Sequence, residues 1–238
     1  KRSLHLHPQV RPLNDQWPNG DWTENYGHSK GTFAYDSEGG WFMQHSVPDF
    51  PNYVADGYEY GSSQEKYGQY LSCMSYDVDS FDTLAYALRF SGPWIYDTNL
   101  DSSSTSGNMS SLLGADTFYY DPLSVDLAMT TTGGMAVQVL GKTGNYGADM
   151  IDKVVSPALG DASMYSQSWL NSCTKVGAYC RTDGTTVVDV LESLYGDNTV
   201  EWSTTNDHAK WAITSDAGSS TVCLADNNRC TSQYVRGG

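Results

Sequence analysis

GHSKGTFAYD (Gly27 to Asp36) and DHAKWAITSD (Asp207 to Asp216) are the two stretches on which the reading of this chain turns. Each carries a His-x-Lys followed, six residues after the lysine, by an aspartate; beyond that the segments share little. Along an extended strand, residues i and i+2 point to the same face, so His28 projects with Lys30 and His208 with Lys210. Two such strands facing one another would gather two imidazoles and two ammonium groups around one point. Asp36 and Asp216 are supporting members of this pattern, or simply turn residues at strand ends.

Two histidines and two lysines suit the cleavage of a phosphodiester, and the pattern asks for no metal and no cofactor. One neutral histidine can attack phosphorus to form a phosphohistidine, while the other, protonated, donates to the departing oxygen. The lysines would stabilise the charge that builds on the phosphoryl oxygens. One histidine must be neutral and the other charged, which predicts a bell-shaped pH dependence and, beside two lysines, an acidic optimum.

Working outward, Gly31 to Asp36 and Gly40 to Ser46 read as strands of a hairpin turned at Ser37-Glu38-Gly39. Asp79 to Phe90 has helical apolar spacing limited by Pro93, with Leu84, Ala85 and Leu88 facing a core. A Ser/Thr/Gly-rich stretch follows Asp97 and places a boundary near residue 105, between a 1–105 unit carrying His28 and Lys30 and a 106–238 unit carrying His208 and Lys210. In the second unit, Met135 to Leu140, Thr185 to Leu191, Lys210 to Ser215 and Thr221 to Ala225 read as strands. Ala148 to Leu159 and Ala162 to Leu170 read as helices. Alternating elements imply an α/β protein.

With 238 residues and 39% hydrophobic content the chain can bury a sizeable core. No apolar run approaches the roughly 18 residues of a membrane span. Five cysteines and only 17% charged residues fit a secreted or lysosomal protein. Asn108-Met109-Ser110 is a glycosylation sequon expected on a surface loop. The formal charge of -15 opposes nucleic-acid binding at neutral pH. An acidic compartment relieves that repulsion, because carboxylates approach their pKa near ~4 and histidines become cationic.

The sequences around the two motifs are NDQWP (Asn14 to Pro18), GHSKG, GGWFMQHSVPDFP (Gly39 to Pro51), VSPALGDASMYSQSW (Val155 to Trp169), DHAKWAI, CLADNNR (Cys223 to Arg229) and RGG (Arg236 to Gly238). In this order they closely resemble deoxyribonuclease II. The resemblance implies a phospholipase D-like fold, in which two pseudo-symmetric α/β lobes with central mixed sheets each bring one His-x-Lys to a common cleft. It also implies metal-independent, acid endonucleolytic cleavage of DNA to 3'-phosphates, with His28, Lys30, His208 and Lys210 matching the catalytic set.

His45, with Ser46 beside it, matches a further site histidine, and Asn227 would be the rough counterpart in the second lobe. Arg229 and Arg236 are phosphate contacts or, equally, surface charges or carboxylate partners. Trp41, Trp169, Trp202 and Trp211 are read as core rather than as platforms for bases, and His5 and His7 as solvent-exposed.

Relatives carry a much longer segment before the first His-x-Lys, whereas only 27 residues precede His28 here. An incomplete first lobe would expose sheet edge and apolar surface, so a second chain cleaved from the same precursor is expected to complete it. Spacing suggests local bridges Cys173–Cys180 and Cys223–Cys230. The resemblance implies that Cys73, in GQYLSC, tethers the amino-terminal chain; a free buried thiol is the other reading. Two further functions are open at this stage: a secreted toxin or structural glycoprotein of the same descent, and a phosphodiesterase acting on another substrate such as lipid head groups.

Overall fold

A computed structural model describes residues 9–18, 20–97, 107–114, 121–171, 173–195, 200–216, 218 and 220–238; His5 and His7 lie outside the described residues. The chain is mixed α/β, mostly strand with few helices. Its first sheet has four antiparallel strands in the order β1 (Gln9–Leu13), β2 (Gly31–Asp36), β3 (Gly39–His45) and β4 (Leu71–Tyr76). The expected hairpin is β2–β3, in register from Asp36↔Gly39 to Gly31↔Gln44. Asp36 Oδ1 closes the turn by accepting from the Glu38 amide at 2.8 Å.

The expected helix is α1 (Val78–Ser91). The Asp77 side chain caps it by accepting from Ser80 N, and Gly92, at φ 61°, ends it in the left-handed region that glycine adopts without strain. Leu84 and Ala85 are buried in a core with Leu13, Phe33, Tyr76 and Phe81, and Leu88 packs at its edge. That core also takes in Met109 and Leu112 from α2 (Gly107–Leu113) and Met129 from β5 (Ser124–Thr130). The Ser-rich stretch therefore marks a change in composition, and packing continues across it. Asn108 starts α2 rather than sitting in a loop: its Nδ2 donates to Asp82 Oδ2 at 2.8 Å, and its Oδ1 accepts from Arg89.

β5 pairs with β6 (Ala136–Lys142) as a separate hairpin lying on α1. The second main sheet gathers β7 (Met164–Gln167), β8 (Tyr179–Cys180), β9 (Thr186–Asp189), β12 (Trp211–Thr214) and β13 (Val222–Leu224) in the order β13-β12-β7-β9-β8. The β7–β9 pair is parallel. A small hairpin, β10 (Glu192–Tyr195) with β11 (Val200–Ser203), stands apart from it.

The helix expected over Ala148 to Leu159 is a π-helical turn Ile151–Val155 running into a short α-helix Ser156–Ala158. Its Ile151, Val154 and Val155 cover Met164, Val187 and Ala212 of the sheet. The helix expected over Ala162 to Leu170 is instead β7, the central strand between β12 and β9. The strand is only four residues long, with Met164 and Ser166 buried and Tyr165 exposed between them, and so short an alternation sits inside a stretch whose apolar spacing also fits a helix.

The expected local disulfides are not the ones formed. Cys173 bonds to Cys230, 57 residues away, with Cα atoms 5.9 Å apart. Cys180 and Cys223 sit on β8 and β13, the opposite edges of the five-stranded sheet, and are free. A long-range backbone contact decides the pairing: Lys175 bridges to Cys230, which brings Cys230 beside Cys173. Cys73 is free and exposed on β4, which sets aside the buried-thiol reading. Among the described residues no helix is long and apolar enough to cross a membrane.

Candidate active site

His28, Lys30, His208 and Lys210 line one cleft of about 280 Å³, together with Asp15, Gln16, Lys66, Tyr67 and Trp169. The two His-x-Lys segments lie just ahead of β2 and β12 rather than within them, yet both are extended and paired. Lys30 O accepts from His45 N at 3.2 Å, and Lys210 O accepts from Ala225 N at 2.9 Å. In each motif the lysine Nζ donates to the carbonyl of its own histidine, at 3.5 Å for Lys30 and 2.7 Å for Lys210. The contact folds each lysine back onto the backbone of its own motif.

The imidazole of His28 is held by a backbone carbonyl. Its Nδ1 lies 2.7 Å from Asp226 O, and a carbonyl can only accept, so Nδ1 carries the proton and Nε2 keeps its lone pair. Asp226 is itself tied to β3, since Gln44 Nε2 donates to its Oδ1 at 3.1 Å. The main chain of His28 is fixed by the carboxy-terminal RGG: His28 N donates to Gly237 O at 3.0 Å. A Cβ on Gly237 would stand 2.1 Å from Ser91 O, a backbone atom that cannot yield. Gly237→Ala is therefore expected to displace His28 and reduce both activity and thermal stability, while an alanine at Gly218, which meets only an Asp216 side-chain oxygen at 3.4 Å, changes neither. Parallel assays and melting curves check this.

Asp15, which no spacing singled out, is the site's buried counter-ion. Its carboxylate takes Lys30 Nζ at 2.5 Å and Arg236 Nη2 at 2.9 Å, and stands 4.0 Å from His28 Nε2. Burial alone would raise this carboxyl; Lys30, His28 and Arg236 overcome that and hold it well below the usual carboxylate range.

The second motif has no such partner at its lysine. Burial, and then the neighbouring Lys30, push Lys210 down to about 7 against the pull of Asp15, Asp226 and Asp207. Burial and the two lysines also depress the histidines, His208 and His45 to about 3 and His28 well below its ordinary value. The two halves thus differ: Lys30 is ion-paired, whereas Lys210 is held in place by a carbonyl.

The other anticipated residues fall into distinct places. His45 is buried, its Nδ1 accepts from Val47 N at 3.2 Å, and its ring stands edge-on to Phe50. Ser46 Oγ donates to Gln69 Oε1 and accepts from Tyr70 N, so it anchors the loop before β4 rather than facing the cleft. Backbone register matches His45 with Ala225, so Asn227 aligns two residues further on. Asn227 Nδ2 donates to Gln233 Oε1 and to Gly237 O, the carbonyl that also accepts from His28 N.

Asp36 and Asp216 take the turn alternative, each accepting from a backbone amide two residues on. Extended chain at ~3.3 Å per residue carries Asp36 roughly 20 Å from Lys30. Arg229 and Arg236 take the carboxylate-partner alternative. Arg229 is 1% exposed, bonded to Asp189 and, at 3.4 Å, to Asp149; Arg236 holds Asp15 and the Tyr26 carbonyl. Trp169, read as core, lines the cleft with its ring centre 4.4 Å from that of His208.

The sequence pattern of the family described as Deoxyribonuclease II matches residues 12–238. Plancitoxin-1 of Acanthaster planci is 29% identical over 94% of this chain and 63% of its own length. Deoxyribonuclease-2 of Caenorhabditis elegans is 31% identical over 90% of this chain and 56% of its own. Deoxyribonuclease-2-alpha of Mus musculus is 28% identical over 94% and 65%. The chain thus spans about six-tenths of the length of these relatives. With a match that runs from β1 to the carboxy-terminal glycine and encloses both His-x-Lys segments, the chain belongs to the deoxyribonuclease II family.

Proposed function

We propose that this chain carries the cleavage site of an acid, metal-independent endodeoxyribonuclease that leaves 3'-phosphates. The observation that carries the proposal is the pairing of His28 Nδ1 with Asp226 O, which leaves Nε2 bare in a cleft beside two lysines. In the first step Nε2 attacks phosphorus, the P–O5' bond breaks, and protonated His208 gives its proton to O5'. In the second step water attacks the phosphohistidine, His208 takes the water's proton, and His28 is released with the 3'-phosphate. Lys30 and Lys210 supply the positive charge that many nucleases take from divalent ions. A supercoiled-plasmid assay at pH 5 with chelator tests this. Nicking with 3'-phosphate ends is expected; absence of nicking from the intact protein defeats the proposal.

The acid dependence follows from the site's own electrostatics. With an empty cleft, burial first and then the two lysines keep the histidines neutral. A phosphodiester seated between the lysines offsets that field and lets His208 bind its proton, so binding and protonation are coupled. Inorganic phosphate is accordingly expected to inhibit more strongly as pH falls from 7 to 5; an inhibition constant that follows only the ionisation of phosphate itself counts against the coupling.

Stability follows the opposite course. The unfolded chain takes up histidine protons below about pH 6.5, while folded His45 does so only near 3. The fold therefore loses stability as pH falls through that window, by about 2 kcal/mol from His45 alone at pH 5. Urea titrations at pH 8 and 5 should show the loss, and saturating phosphate should reverse part of it.

Two pseudo-symmetric lobes of phospholipase D type are the architecture this function implies, their division near residue 105 being one of sequence, with α2 and β5 packed on the first unit's core. The alike backbone pairing of the two His-x-Lys segments supports it. An amino-terminal chain of the same precursor would complete the first lobe. A cavity of about 910 Å³, lined by Met74, Tyr76, Leu88, Met129 and Leu224, supports this partner; the edge strands β4 and β13 both contribute to its walls. Tethering would run through exposed Cys73, and release of a smaller fragment on reducing electrophoresis is the expected sign. The acidic composition and the Cys173–Cys230 disulfide support a site of action outside the cell or in the lysosome.

A further inference from the structure

His28 is oriented by a hydrogen bond, but Nε2 of buried His208 has no hydrogen-bond partner among the described residues. Its ring is held by aromatic faces. Tyr67 stacks on it with centroids 4.4 Å apart and planes 21° apart, and Trp169 covers it at 4.4 Å and 54°.

Tyr67 comes from the other sheet, on the loop between β3 and β4, and the loop is built to reach across. Gly68 N donates to Asn206 O and His208 N donates to Gly68 O, both at 2.8 Å, so residues 206–208 gain a parallel backbone partner. That approach requires glycine, since a Cβ on Gly68 would stand 2.7 Å from Asp207 Oδ1. Ser46 Oγ holds the loop's far end through Gln69 and Tyr70.

We infer that Tyr67, aided by Trp169, is a positioning residue for His208: the two faces fix the imidazole where it can protonate the departing oxygen and favour the imidazolium form. The inference rests on the assignment of His208 as the acid. The physical basis is the negative quadrupole of an aromatic face, which stacks on a neutral ring and attracts a cationic one more strongly. The other charges around His208 do not do this work. Lys210 and Lys30 oppose protonation, Lys66 lies over the Tyr67 ring at 5.1 Å, and Asp207 is engaged by Trp202 Nε1 and the Ala209 amide. In the empty cleft the lysines prevail and His208 stays neutral; with phosphate between them, the aromatic faces decide how readily it charges.

The test compares leaving groups in the intact protein. DNA expels an alkoxide that needs a proton, whereas thymidine 3'-p-nitrophenyl phosphate expels a phenolate that needs none. Tyr67→Leu is expected to lower kcat on DNA roughly tenfold, to change the nitrophenyl ester by less than about twofold, and to move the pH optimum down. Tyr67→Phe, which keeps the face, should behave as the parent. Equal losses on both substrates, a loss confined to KM, or a Phe variant as impaired as Leu would overturn the inference; a loss in KM alone would mark Tyr67 as a platform for bases. Should Tyr67→Leu fail to fold, Trp169→Leu puts the same question from the other face, and equal losses on both substrates there overturn the inference as well. A parent protein that cleaves neither substrate overturns the active-site assignment instead.

Discussion

His28→Ala is expected to lower plasmid nicking at pH 5 by roughly 10⁴-fold or more, the scale on which removal of a nucleophile abolishes a covalent route. The loss should fall on kcat and persist with every leaving group, because the phosphorus acceptor itself is gone. His208→Ala should differ in kind: severe on DNA, but on the nitrophenyl ester, which departs without a proton, it should leave a first-turnover burst of nitrophenolate followed by slow turnover, because the second step lacks its base. Asp36→Asn and Asp216→Asn should leave activity within about twofold, since each aspartate only closes a turn at a strand end. Rate measurements across these four variants separate chemistry from fold, and an active His28→Ala enzyme would remove the proposed nucleophile.

Asp15→Ala carries the largest expected effect on stability. Its carboxylate is shared by Lys30 and Arg236, both buried, and removing one member of a buried charge cluster costs about 3–5 kcal/mol because the remaining charges are left uncompensated. Asp15→Asn keeps the shape and some hydrogen bonds but not the charge, and should fall between. Below neutral pH both variants should also lose activity, since Lys30, freed from its carboxylate, opposes protonation in the cleft more strongly. Urea unfolding at pH 7 checks the ordering; equal stability of all three proteins would show that the Asp15 cluster contributes nothing.

Local patterns made the first half of the fold legible. The β2–β3 hairpin and α1 declare themselves through a turn triplet, apolar spacing, Asp77 and Gly92, because each is stabilised mainly by its neighbours in sequence. β7 was not legible. Its four residues are too few for their alternation to outweigh the helical spacing of the apolar residues around them.

The cleft divides in the same way. His28, Lys30, His208 and Lys210 stood out because a repeated spacing is a one-dimensional signal. The residues that position them come from far along the chain: Asp226 is 198 residues from His28, and Asp15 is 221 from Arg236. Tyr67 reaches His208 only through the packing of a loop. For Arg229 phosphate contact and carboxylate pairing stood equal in the sequence, and tertiary contacts turn it towards Asp149 and Asp189. The disulfide of Cys173 with Cys230 depends on a contact across 57 residues, which short spacing does not reveal.

The central claim, phosphoryl transfer to His28 in a cleft charged by two lysines, is tested most directly by trapping the intermediate. Thymidine 3'-p-nitrophenyl phosphate, whose leaving group needs no acid, is mixed with His208→Ala protein at pH 5 in the presence of chelator, quenched with base to preserve phosphohistidine, digested and analysed by mass spectrometry. The account predicts a 3'-phosphonucleotide on the peptide containing His28, accumulating because the second step lacks its base. An adduct on another residue, or turnover with no adduct and a strict need for added divalent ion, would contradict it.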